Sequence, residues 1–128
     1  MSKCIQSILH RQARNLMVLS VFDPLTLPNG TTLPNRIAKA AMEENMAVCG
    51  HLPGDDICNL YKTWSDGGAG LLITGNVMID HRAMTGPGGI SLETETDLEP
   101  FKKWAKSSTQ NNNKIWNIKT NMTLWLNY

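Results

Sequence analysis

The stretch that decides the fold is "IAKAAMEENMAVCGHLPGDDICNLYKTWSDGGAGLLIT", residues 37–74. It opens on a short, mostly apolar run, Ile37 to Met42, without polar alternation. Such a run, bounded by turns, suits a strand buried on both faces. Residues 47–54 read as a loop around Gly50, Pro53 and Gly54. The spacing then predicts a helix over 55–66, because Ile57, Leu60, Tyr61 and Trp64 fall at i, i+3, i+4 and i+7. Asp55 and Asp56 stand in its first turn, where the helix dipole favours acids. Gly67-Gly68 ends it, since glycine accepts a left-handed cap at little cost. "GLLIT", residues 70–74, is a second buried strand. Strand, helix, strand in this order is a parallel unit with a right-handed crossover.

Working outward, the same grammar continues on both sides. Upstream, Leu25 to Leu27 and Thr31 to Leu33 flank Pro28-Asn29-Gly30, and Asn-Gly between short β-prone runs marks a hairpin. Downstream, residues 80–94 form a long loop rich in glycine. Thr96 and Glu99 have capping-box spacing, with Asp97 between them. Pro100 suits the first turn of a helix. Leu98, Phe101, Trp104 and Ala105 make its apolar stripe, and Lys102, Lys103 and Lys106 its wet face. After a polar run, Lys114-Ile115-Trp116 begins a third strand. Two strand–helix repeats and a third strand define a parallel α/β protein, and pattern alone leaves doubly wound and barrel folds open. Trp64, Trp104 and Trp116 are read as core.

The bulk properties narrow the partners. The chain has 128 residues, a formal net charge of +1 and 41% hydrophobic residues. No electrostatic pull toward nucleic acid is expected from that balance. No apolar run approaches the roughly 20 residues that cross a bilayer. Cys4, Cys49 and Cys58 are sparse and odd in number, which fits free thiols in a reducing, cytoplasmic setting. The first acid is Asp23, and Lys3, Arg11 and Arg14 accompany an apolar stripe, so residues 1–20 form a basic amphipathic extension with mitochondrial import as the alternative. Cys49, His51, Cys58 and His81 match no common zinc spacing, so no metal site is expected. Asn29-Gly30-Thr31 and Asn121-Met122-Thr123 match a glycosylation pattern by chance.

Three stretches together carry a resemblance: "FDPLTLPNGTTLPNRIAKAAMEENMA" (22–47), "YKTWSDGGAGLLITGNVMID" (61–80) and "DLEPFKKWAK" (97–106). In order and spacing they are similar to the N-terminal portion of the old yellow enzyme family, the NADH:flavin oxidoreductases. The resemblance covers residues 21–116. It implies the hairpin, strands one to three and two helices of a TIM (β/α)8 barrel. It implies FMN at the C-terminal strand ends, NAD(P)H as co-substrate, and hydride passed on to an activated alkene or another small-molecule acceptor. By that resemblance, flavin contacts fall to Ala40, Ala41, Met42, Gly75 and Asn76. Small residues there let a flat ring approach the chain closely. Glu43 departs from the threonine or cysteine that many relatives place near this point. A catalytic role is assigned to it because polar residues at barrel strand ends carry chemistry.

The resemblance stops after Trp116. Counting on from Lys114, the family's flavin-binding glutamine would fall at Ile118, and its His-Pro-Gly-Arg segment at Asn121, Met122, Thr123 and Leu124. A barrel of this type needs about 250 residues. Residues 117–128 are therefore expected to be a tail foreign to the fold, and the chain an incomplete barrel whose activity in isolation is doubtful. The alternative is a catalytically inactive fragment, or a small interaction module, with no flavin bound. An open parallel sheet would also leave edges for self-association.

Overall fold

The structure, a computed structural model, describes residues 19–120, the last four as backbone. The basic stripe of Lys3, Arg11 and Arg14 lies outside the described residues, as does the tail from Asn121.

The hairpin forms as expected. β1 (Leu25–Thr26) and β2 (Thr32–Leu33) pair antiparallel with Leu25 opposite Leu33. Gly30 takes φ +84° in the turn, and the Asn29 side chain accepts the Thr31 N–H at 3.0 Å. That backbone conformation is open to glycine and strained for most other residues.

β3 (Ala38–Lys39) lies parallel to the long strand β6 (Leu71–Met78), Ala38 opposite Leu71. The expected strand Ile37–Met42 thus shrinks to two residues at its start. Leu71 pairs with both β3 and β8 (Lys114–Thr120), so these flank β6 on opposite sides. Val77 and Met78 pair with β8 and also with β7 (Ile90–Ser91), so β7 takes the edge that β3 leaves. Two short strands share one side of β6, and after Lys39 the chain leaves the ladder to cross over Gly75, where the missing side chain admits it. β6 itself runs four residues beyond the expected "GLLIT".

Between β3 and β6, residues 47–54 are not a plain loop. β4 (Ala47–Val48) and β5 (Leu52–Pro53) pair across a turn in which Gly50 has φ +80° and His51 +58°. The helix α1 (Asp55–Asp66) begins and ends where the residues predict. It buries Ile57, Cys58, Tyr61 and Ser65, and Gly68 follows with φ +85°. The second helix, α2 (Glu99–Ser108), carries Pro100 in its first turn and buries Phe101, Trp104 and Ser108. Its start corrects the capping-box expectation. Leu98 is the N-terminal flanking residue, Asp97 accepts the Glu99 N–H at 3.0 Å, and Thr96 accepts the Glu93 N–H at 2.8 Å instead. The threonine closes the preceding turn, and the aspartate makes a local turn onto the first helical N–H while the N-cap, Leu98, has no side-chain cap.

Both helices cover one face of the sheet. Their core joins Ile57, Cys58, Tyr61, Phe101 and Trp104 to Leu72, Val77 and Ile90, with Ile115 packed against it. Tyr61 meets Trp104 edge-on at 5.1 Å and Trp64 at 4.9 Å, geometries that aromatic quadrupoles favour. A buried polar link ties the helices to β8. Ser65 donates to Asn113 Oδ1 at 2.7 Å, and Asn113 donates to the Ser108 carbonyl.

β8 extends through Thr120, opposite Met78, four residues past the point at which the resemblance stops. Trp116 is not core: it is 49% exposed. It stands opposite Ile73, and its neighbour Ile115 faces the helices. Alternation along a strand therefore turns Trp116 to the other face. Among the described residues no second layer covers that face, and the sheet does not close. No helix among the described residues is long and apolar enough to cross a membrane.

Candidate functional site at the strand ends

The residues assigned to flavin contact converge, and a close backbone approach is what brings them together. A Cβ on Gly75 would lie 2.2 Å from the Met42 carbonyl oxygen and 3.0 Å from the Glu43 Cα. Only a residue without a side chain lets the segment after β3 cross the middle of β6. Ala40, Ala41, Met42 and Glu43 are exposed on that crossing, with Asn76 half-buried beside them. They form an exposed ledge, with small side chains only at Ala40 and Ala41, toward the C-terminal side of a parallel sheet, where α/β proteins bind their ligands.

The two adjacent glutamates divide their roles. Glu43 faces outward and accepts from Asn76 Nδ2 at 2.8 Å and from Thr85 Oγ1 at 3.1 Å. Glu44 turns inward, its side chain 7% exposed, and pairs with Lys39 at 2.9 Å. The same Glu44 oxygen accepts the Tyr61 hydroxyl at 2.6 Å, and its other oxygen accepts the Gly75 N–H at 3.2 Å. Lys39 also donates to the Ile73 carbonyl at 2.9 Å and lies 4.4 Å from the Trp64 ring centroid. A buried carboxylate thus meets an ammonium, a phenol and a backbone amide, which offsets much of the cost of removing it from water. Burial first, then the neighbouring Glu44 carboxylate, raises the Tyr61 pKa well above its ordinary value. The phenol therefore remains a donor.

Neither Lys39, Glu44, Tyr61 nor Thr85 stands out in the sequence as a site residue. Lysine inside an apolar strand is the one local signal, since a buried ammonium demands a partner. Thr85 has none, because its approach to Glu43 depends on how the long loop returns over the rim. That return is braced: the Ala47 N–H donates to the Gly88 carbonyl at 2.9 Å, and a Cβ on Gly88 would meet the Asn45 carbonyl.

A second group lies higher on the same loop. Ligating atoms of Asp80, His81 and Glu93 fall within 4.8 Å of one another. They are already engaged. His81 Nδ1 is 2.8 Å from Glu93, and Arg82 forks onto Asp80. Arg82 holds the Asp80 carboxyl well below the usual range, and hydrogen bonds from His81 lower that of Glu93. The four residues Cys49, His51, Cys58 and His81 do not gather: Cys58 is buried in the core, and the His51 ring meets the Gly89 carbonyl. Clefts of about 390 and 340 Å³ are lined by loop residues such as Asp80, His81 and Glu93. The Ala40–Met42 ledge lines neither of these, and its three residues are exposed.

No protein-family model matches the chain. The sequence is 38% identical over 91 residues to the NADH-dependent flavin oxidoreductase iliE of Hypocrea jecorina, covering 68% of this chain and 23% of that protein. It is 32% identical over 92 residues to the NADH-dependent flavin oxidoreductase iccE of Talaromyces variabilis, covering 72% of this chain and 20% of the relative. The chain therefore spans about a quarter or less of the curated relatives it matches. Among solved structures, the old yellow enzyme homologue from Zymomonas mobilis superposes with a TM-score of 0.69 at 20% identity, over 80% of this chain and 28% of that one. The Old Yellow Enzyme from Pichia sp. gives 0.71 at 18% identity, over 84% and 28%. By sequence the chain is similar to part of the NADH-dependent flavin oxidoreductases, and by fold it matches the N-terminal part of old yellow enzyme barrels.

Proposed function

We propose that this chain supplies the first flavin-facing segment of an NAD(P)H-dependent oxidoreductase of the old yellow enzyme type. The observation that carries this reading is the crossing of Met42 over Gly75, which presents Ala40, Ala41 and Met42 beside Asn76 as an open ledge at the strand ends. FMN held there would accept hydride from NAD(P)H and deliver it to an activated alkene or another small acceptor. The chain's own part is positional. Ala40 and Ala41 leave room for the ring, Met42 and Asn76 border it, and the Glu44 carboxylate fixes the Gly75 amide that sets the ledge's height.

The test is a titration of the purified chain with FMN, followed by flavin fluorescence quenching, with NADH consumption measured in parallel. Saturable binding at low micromolar FMN supports the reading, and unquenched flavin overturns it for this chain. A second reading, an interaction module that holds no flavin, draws on the uncovered sheet face and the exposed Trp116. Sedimentation of the same samples separates the two, since a module of that kind associates whether or not FMN is added.

A further inference from the structure

We propose that Glu43 determines specificity: it is a fixed carboxylate on the rim that favours cationic or hydrogen-bond-donating acceptors and disfavours anionic ones. The inference rests on the flavin-facing reading of the rim given above.

Three observations carry it. Glu43 is gripped at both oxygens, by Asn76 Nδ2 at 2.8 Å and Thr85 Oγ1 at 3.1 Å. Those partners come from within β6 and from the loop beyond it, so the carboxylate's direction is set by two separate segments. Both grips are neutral. Among the described residues Glu43 has no ion pair, whereas Glu44, Asp80 and Glu93 each face Lys39, Arg82 or His81. A carboxylate accepts about four hydrogen bonds, so two held by neutral donors leave lone pairs and a full charge for an incoming group. Finally, Glu43 follows directly on Ala40–Met42, so its charge lies beside whatever the ledge holds.

The orientation is prepared before a ligand arrives, so little ordering cost falls on binding. An exposed carboxylate of this kind contributes about 1 kcal/mol to a cation, which corresponds to roughly fivefold in affinity.

The experiment uses two aromatic probes of similar shape and opposite charge, benzamidinium and benzoate. Each is titrated into the ¹⁵N-labelled chain, with and without FMN, while the side-chain amide resonances of Asn76 are followed. Benzamidinium is expected to shift those resonances saturably and to bind about fivefold tighter than benzoate. Glu43→Gln is expected to erase the preference, and Glu43→Asp to keep part of it. Equal binding, a preference for benzoate, no binding of either probe, or a preference that survives Glu43→Gln each overturn the proposal. Because Glu43 is exposed, its variants are expected to keep the backbone amide spectrum, which checks folding in the same sample. If FMN binds and no charge preference appears, this inference alone fails. If the charge preference appears and FMN does not bind, the flavin reading fails and the carboxylate's selectivity stands by itself.

Discussion

The Tyr61 hydroxyl donates to Glu44 at 2.6 Å, and Lys39 Nζ lies 2.9 Å from the same oxygen. This junction ties the end of β3 to the middle of α1, and Glu44 carries the tie on to Gly75 in β6. It adjoins the segment that crosses over Gly75. The chemistry of the rim therefore depends on a charge pair buried in the layer behind it.

Removing the carboxylate is the most direct test of that dependence. Glu44→Gln leaves the Lys39 ammonium, itself 8% exposed on its side chain, without a counter-charge. Breaking one side of a buried pair costs about 3–5 kcal/mol. Urea denaturation should show a loss of that order. Lys39→Met in the Glu44→Gln background should recover part of it, since two neutral groups bury more easily than one charge.

Tyr61→Phe isolates the hydroxyl. The variant keeps the ring contacts with Trp64 and Trp104 and loses one donor to a charged acceptor, at a cost of about 1.5–3 kcal/mol. It should also change the alkaline limb of the stability curve. The Tyr61 pKa is raised in the folded protein, mainly by burial, above its ordinary 10.0. Above pH 10 the unfolded chain releases this proton while the folded chain keeps it. The stabilisation is thus fully present below pH 10 and declines as pH rises through the folded value. Thermal denaturation from pH 8 to 11 should fall more steeply in the wild type than in Tyr61→Phe above pH 10.

Gly75→Ala tests the crossing itself. The added Cβ would meet the Met42 carbonyl at 2.2 Å and Glu44 Oε2 at 2.7 Å, so the 42–44 segment must move. Overpacking of this kind costs about 1–3 kcal/mol. The decisive readout is flavin quenching, expected to fall well beyond what the stability loss explains. Gly68→Ala is the matched control. Its Cβ meets nothing within 4 Å and its penalty comes from φ +85° alone, so it should destabilise while leaving the rim intact.

These effects also show which parts of the fold were legible in the residues. α1 was legible to its ends, because its stripe, its acidic first turn and its glycine stop are all local. The length of β3 was not. Ile37 to Met42 is apolar enough for a longer strand, yet after Lys39 the chain lifts off β6 and crosses over Gly75. Nothing in a two-residue strand announces its partner. The split between Glu43 and Glu44 was equally hidden. Neighbouring glutamates look alike in sequence, and the inward turn of one is decided by Lys39 and Tyr61, 5 and 17 positions away. Met42 crosses over Gly75, and Ala40, Ala41 and Met42 are exposed there with Asn76 half-buried, a meeting that depends on the path of the chain after Lys39. Trp116 followed the apolar pattern and still faces outward, since a strand's pattern does not tell which of its two faces is covered.

Trp116 gives the last test, because its exposure reports on the uncovered sheet face. Trp64 and Trp104 pack in or against the helix-side core, while Trp116 is 49% exposed on the opposite side. Trp116→Ser should change stability by no more than about 0.5 kcal/mol, the usual limit for surface substitutions away from special features. It should also remove the red-shifted, quencher-accessible part of the tryptophan emission. If the wild-type chain associates through this face, acrylamide should reach Trp116 less readily as protein concentration rises, and Trp116→Ser should lower the sedimentation coefficient at high concentration. A stability loss above about 2 kcal/mol for Trp116→Ser would show instead that this side chain is buried in the folded protein, and that the face has a cover.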